Sequence, residues 1–167
     1  IKYAHENECP WDESTCEVAA KKGKLECLKY LHENGCPWNQ STTISAGNNG
    51  FLDCLKYAYD NGCLVHQNIL LNSLYYINFE IFKFAFENDF PPLGADDDSY
   101  IFDLMSNYVF RIFSSGEYNF VRYMIENEFP YEEYFLWIIC YKAKSDNNQE
   151  FLDYVFPLCN RSIDMVR

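Results

Sequence analysis

The chain has 167 residues, 49% of them hydrophobic, which suffices for one domain and is short for two. Aromatics reach 19%, with only seven Gly and six Pro, so disordered, collagen-like and linker-type sequence are excluded. Acids outnumber bases 25 to 13, a net charge of −12, which repels nucleic-acid phosphates and anionic membranes and suits a protein partner with a basic surface. No apolar run approaches a membrane span. No signal peptide opens the chain, and Ile1 stands inside a pattern already running, so the sequence reads as a piece of a longer protein. The charge is uneven. Residues 1–83 hold ten acids and seven lysines (−3), and residues 84–167 hold fifteen acids and six bases (−9).

Self-similarity organises the chain. KYAHENECPWDESTC at Lys2–Cys16 returns as KYLHENGCPWNQSTT at Lys29–Thr43, and again, degraded, as KYAYDNGCLVHQNIL at Lys56–Leu70. Lys2, Lys29, Lys56 and Lys83 stand 27 residues apart. The marker recurs 39 residues on at Arg122-Tyr123 and 31 further at Asp153-Tyr154, so insertions of twelve and four are expected.

Each unit predicts two helices. The first starts at an N-cap (Ser14, Ser41 or Asn68) and runs about Thr15 to Lys22, with Val18, Ala19 and Ala20 as a small packing face. Gly23, Gly50 and Gly116 end it in a tight turn, and Ile77 replaces that Gly in the third unit. The second helix runs about Leu25 to Glu33, its stripe set by Leu25, Leu28 and Leu31. Asn34-Gly35 and Asn61-Gly62 stop it, and Pro37 prevents resumption. Asp96-Asp97-Asp98 reads as an N-cap and first-turn acids for a longer helix from about Ser99 to Phe113. Helices of about ten residues do not persist alone in water, so pairs must stack and bury their flanks.

Ser14 to Asn39 resembles an ankyrin repeat: Ser14 to Glu17 stand for its TPLH-type start, then come Ala19-Ala20, Gly23, Leu25 to Leu28 and Asn34-Gly35. The ankyrin period is 33; here the missing six fall where that family builds its β-hairpin. The NGCPW variant is similar to divergent arrays of giant DNA viruses of amoebae and of some protists. The resemblance is strong over residues 1–63, moderate to about 90, and rests on spacing beyond. It implies an all-α solenoid of stacked antiparallel helix pairs with hairpins shortened or absent. A single domain, 1–167, divides into repeats at about 1–27, 28–54, 55–81, 82–120, 121–151 and 152–167, the first lacking its opening helix and the last a partial helix or cap.

The eight cysteines invite a disulfide or zinc reading. Cys9, Cys36 and Cys63 share one repeat position with Phe90 and Phe129; Cys27 and Cys54 share another with Ile81 and Phe120. Interchange of Cys with Phe or Ile marks apolar packing, hence reduced thiols and an intracellular, reducing, cytoplasmic setting, to which the viral resemblance adds a host cell's cytoplasm or a virion. His5/Cys9 and His32/Cys36 have a chelating i, i+4 spacing, but Tyr59/Cys63 breaks it in the third unit, so no metal is expected. Trp11 and Trp38 are read as seals of the repeat junction rather than exposed anchors. No GxSxG, HExxH, P-loop or GxGxxG occurs, so neither an enzyme nor a cofactor is expected.

The leading expectation is a scaffold or adaptor that binds a protein on its concave face. By the resemblance, first helices and their preceding loops line that face, which nominates Val18, Lys21 and Lys22, then Ser45, Asn48 and Asn49. The rival is a structural subunit of a larger assembly, such as a viral particle, suited by the aromatics after residue 75. Circular dichroism of the chain should show dominant helix; the signature of a sheet of three or more strands would contradict the reading.

Overall fold

The computed structural model describes residues 1–90, 98–129, 131 and 134–164. These form α-helices and no strand. In chain order they are α1 (Lys2–Glu6), α2 (Glu13–Lys21), α3 (Leu25–Glu33), α4 (Gln40–Asn48), α5 (Leu52–Asp60), α6 (Ile69–Tyr75), α7 (Phe79–Glu87), α8 (Asp98–Ser115), α9 (Tyr118–Glu126), α10 (Tyr134–Ser145) and α11 (Gln149–Asp164).

The first helices begin earlier than the sequence pattern suggests. Asp12, not Ser14, caps α2, and Asn39, not Ser41, caps α4. Each side chain accepts the N–H two residues on, at 3.0 Å from Ser14 and 2.8 Å from Ser41. Thr15 Oγ1 accepts the Asp12 N–H in return, closing a capping box at α2. A carboxylate or amide oxygen one residue before the helix out-competes a hydroxyl inside its first turn. Asn68 does precede α6, but in a helical conformation without a side-chain cap. Lys22 is the C-cap of α2, not its last helical residue. For the longer helix, Asp98 lies inside α8, while Asp96 and Asp97 fall outside the described residues.

The helix ends carry the repeat more faithfully than the side chains do. After α3, the Gly35 N–H reaches His32 O at 3.0 Å and the Cys36 N–H reaches Leu31 O at 2.9 Å. This pair of bonds satisfies carbonyls that the helix leaves open, and it requires a left-handed residue between C-cap and exit. Gly35 supplies it at φ +78°. The same pairing ends α5, α7 and α9, and also ends α2, α4, α6 and α10. Positive φ occurs at Glu8, Gly35, Gly62, Asp89 and Glu128 after second helices, and at Gly23, Gly50, Ile77, Gly116 and Asn147 after first helices. Every positive φ among the described residues falls at one of these two repeat positions. Second helices add an Asn C-cap: Asn7, Asn34, Asn61, Asn88 and Asn127 each donate Nδ2 to the carbonyl four residues back.

The chain divides into two compact units, Ile1–Asp96 and Asp97–Arg167, where the sequence reading has one domain. The division falls where the repeat interval lengthens from 27 to 39. Within the first unit, α2 pairs with α3, α4 with α5 and α6 with α7; α2 packs on α4, α4 on α6 and α3 on α5. Its core holds Cys16, Ala20, Leu28, Leu31, Ala46, Leu55, Ala58, Leu74 and Phe82. Gly47 lets α4 and α6 approach closely, since a Cβ there would sit 3.3 Å from Ile69 Cγ2. Within the second unit, α8 packs on α9 and α10, and α10 on α11, around Phe113, Phe120, Met124, Phe135 and Val155. The described part of the last repeat, 152–164, is the continuation of a single helix. Helix α11 has 16 residues, begins before residue 152 and runs through Pro157.

Three substitutions separate backbone from side-chain effects. Nothing lies within 4 Å of a Cβ at Gly35, so Gly35→Ala should cost about 1 kcal/mol through backbone strain alone. Glu128, exposed at φ +55°, should gain about 0.5–1 kcal/mol as Glu128→Gly. Leu28→Ala, at a fully buried position, should cost roughly 2–5 kcal/mol. Denaturant unfolding measures all three.

Candidate functional site

The ring residues flagged by the sequence come together at the junctions between helix pairs. The His32 ring stacks on Trp38 at 3.9 Å between centroids, and its Nδ1 lies 2.9 Å from Tyr57 Oη. Trp38 meets the Tyr57 ring edge-on at 6.1 Å. One repeat earlier, His5 lies 4.1 Å from Trp11 and 3.0 Å from Tyr30 Oη. One repeat later, Tyr59 takes the His place and packs on Phe84 and Phe90 at 5.6 and 5.1 Å. Each cluster ties a second helix to the next one. Trp11 and Trp38 are half-buried. In both clusters the His Nδ1 is taken up by a tyrosine hydroxyl of the next second helix. Among the described residues no group of three or more His, Cys, Asp or Glu is placed to hold a metal ion.

The cysteines split by position. Cys36 and Cys63 are buried, and their Sγ atoms face Asp12 O at 3.4 Å and Asn39 O at 3.2 Å, in the loop of the preceding repeat. They are the residues that exit the left-handed turns after α3 and α5, where an apolar side chain folds back on the helix end. Cys9 departs from the expected packing and is exposed, because no described loop covers it as Asp12 covers Cys36. Cys27 is half-buried, whereas its equivalent Cys54 is buried. All eight are free thiols. Burial pushes the Cys16 thiol up to about 12 and the Cys63 thiol up to about 11.

The nominated contact residues lie at the C-terminal ends of α2 and α4, which pack side by side. Val18, Lys21 and Lys22 are exposed. Ser45 is half-buried and donates Oγ to Glu17 Oε1 at 3.3 Å. Asn48 is half-buried too, its Oδ1 accepting from Asn72 Nδ2 at 2.8 Å. Asn49, exposed, donates Nδ2 to Ser45 O at 2.8 Å. Thus Ser45 and Asn48 tie successive first helices together, leaving Val18, Lys21, Lys22 and Asn49 as the outward members. The sequence reading missed Tyr75 and Tyr76, which end α6 27 residues beyond Asn48 and Asn49 and are 45% and 55% exposed. The period alone could have found them. In the second unit Tyr134, Trp137 and Tyr141 form an exposed stripe on one face of α10.

Comparison with family models, with curated proteins and with solved structures returns no match. Among the described residues no helix is long and apolar enough to cross a membrane.

Three measurements check this site. Thiol alkylation of the native chain at mildly alkaline pH should modify exposed Cys9 first, with Cys16, Cys63 and Cys140 last, because the thiolate is the reacting form. Mass spectrometry without reductant should find Cys9, Cys27, Cys36, Cys54 and Cys63 as free thiols. Tyr57→Phe should cost about 0.5–1.5 kcal/mol by removing the His32 hydrogen bond while keeping the ring.

Proposed function

We propose that this chain is a protein-interaction scaffold or adaptor, an ankyrin-like solenoid of helix pairs with hairpins shortened or absent, which binds a protein partner on the face formed by its first helices. One observation carries the reading. At the C-terminal ends of α2, α4 and α6 the packing positions stay small and buried, as Ala19, Ala46 and Ser73, while the outward positions change chemistry completely. Lys21-Lys22 becomes Asn48-Asn49 and then Tyr75-Tyr76. A scaffold held constant beneath a varied surface is what recognition by a repeat protein requires. A basic region of the partner suits the acidic second half, which holds −9 of the −12. The reading gives the chain no catalytic or cofactor role. The similarity to arrays of giant DNA viruses adds a host-cell or virion setting to the same proposal.

The exposed stripe of Tyr134, Trp137 and Tyr141 on α10 favours a second reading, a subunit buried in a larger assembly, because large clustered aromatics are costly to leave in water. Light scattering separates the two: a stable monomer supports the adaptor, and obligate oligomers support the subunit.

The partner is found by affinity pull-down from the native cell. Lys21→Glu with Lys22→Glu should then weaken the complex by more than about 1 kcal/mol. Unfolding free energy should move by less than about 0.5 kcal/mol, because both side chains are exposed. An unchanged dissociation constant would remove the interface from these helices.

A further inference from the structure

We propose that the row of first-helix ends in the first unit reads a partner segment with direction: an acidic group at one end and an aromatic or aliphatic side chain about five or six extended residues away. This rests on the interaction reading above and names the chemistry of its ligand. Three C-caps form the row, Lys22, Asn49 and Tyr76, each flanked by the residue before it. The α2 end is cationic: Lys21, Lys22 and Lys24 are exposed, and no described carboxylate pairs with them. The middle is amide, with Asn48 held by Asn72 and Asn49 turned to its own helix. The α6 end is aromatic, with the Tyr75 and Tyr76 rings edge-on at 4.9 Å and both exposed. Packed helices stand 8–10 Å apart, so the lysine and tyrosine ends are separated by about 16–20 Å. An extended segment covers that distance with about five or six residues. The acidity that would draw a basic partner lies mostly beyond residue 83. Screening confines each contact to its own neighbourhood, so the lysine end selects an acid locally. A neutral amide strip between the two ends accepts backbone hydrogen bonding without favouring either charge.

The test is selection of random peptides on the immobilised full chain. Enriched peptides should place Asp or Glu and an apolar anchor about five or six residues apart. Lys21→Glu with Lys22→Glu, and separately Tyr75→Ser with Tyr76→Ser, should each weaken the best peptide at least tenfold, with thermal melting unchanged. Peptides that bind this row without that acid-to-apolar order overturn the inference and leave the interaction reading standing. A library yielding no peptide sensitive to any substitution on α2, α4 or α6 overturns both.

An independent observation concerns sulfur in the second unit. Cys140 of α10 and Cys159 of α11 are buried with their Sγ atoms 3.2 Å apart. The structure assigns this pair as a dithiol site that a hydroperoxide converts to a disulfide joining α10 to α11. Cys140, the more exposed of the two, attacks the peroxide; its sulfur becomes a sulfenic acid and one oxygen leaves as water or alcohol. The Cys159 thiolate then displaces hydroxide from that sulfur, which leaves as water with the thiol proton. Both cysteines are oxidised and the peroxide is reduced. The sulfurs must close by about 1.2 Å to reach bonding distance. Burial and the neighbouring Cys159 push the Cys140 thiol up to about 12, so its attack on the peroxide speeds up as pH rises. The bond would staple the half of α11 beyond Pro157. Peroxide treatment followed by non-reducing peptide mass spectrometry should find a Cys140–Cys159 cross-link lighter by two hydrogens, reversed by dithiothreitol and absent in Cys140→Ser. Cys159→Ala should instead stop at the sulfenic acid, trapped by a dimedone-type reagent. Persistence of both thiols, or cross-links to other cysteines in preference to this one, would overturn the assignment.

Discussion

The left-handed residue at the end of each helix from α1 to α10 is the constraint on which the rest depends. It turns the chain out of one helix and, after α2–α7, α9 and α10, returns two orphan carbonyls to hydrogen bonds, so the next helix starts at a fixed offset. Five of these positions carry Glu8, Ile77, Asp89, Glu128 or Asn147 instead of glycine. A β-branched residue such as Ile77 is strained there by roughly 1–3 kcal/mol. It is tolerated because the turn is held on both sides: the Asn78 N–H bonds Ser73 O at 2.8 Å, and the Asn78 side chain caps α7. Turn geometry outlasts the residue that suits it best.

With the turns set, packing follows from which residues the period returns to the same place. The exit residue after each second helix must be apolar, which makes Cys36, Cys63, Phe90 and Phe129 interchangeable despite their different sizes. Small residues at Ala19 and Ala46 admit close neighbouring helices, and Gly47 leaves room for Ile69 of α6, whose Cγ2 would stand 3.3 Å from a Cβ there. His, Trp and Tyr then lock successive second helices through one hydrogen bond and three ring contacts, an arrangement that half-buries each indole while meeting the polar need of the imidazole. Where the third repeat loses His and Trp, Tyr59, Phe84 and Phe90 occupy the space with rings alone.

Once these positions are committed, the outward ends of α2, α4 and α6 are the places where chemistry can change without disturbing the fold. Exposed cations, amides and tyrosines follow one another there, and the second unit presents aromatics on α10. The polar ties between Glu17 and Ser45 and between Asn48 and Asn72 keep adjacent ends in register, so a partner meets a fixed row rather than independent side chains.

The 27-residue period determined the helix pairs, the second-helix bounds of α3, the turn positions and the apolar role of the cysteines, because backbone turns and packing stripes are local and recur with the repeat. It could not place the caps, since Asp12 and Ser14 are both good capping residues and the helix geometry chooses between them. Nor could it say that Ser45 and Asn48 spend their polar groups on neighbouring helices while Lys21 and Lys22 do not, or that Cys9 stays exposed while its equivalents are buried. The meeting of Cys140 with Cys159, 19 residues apart on packed helices, was equally hidden. These outcomes depend on what the adjacent helix or loop puts opposite each residue, a relation between distant parts of the chain that only the packed structure decides.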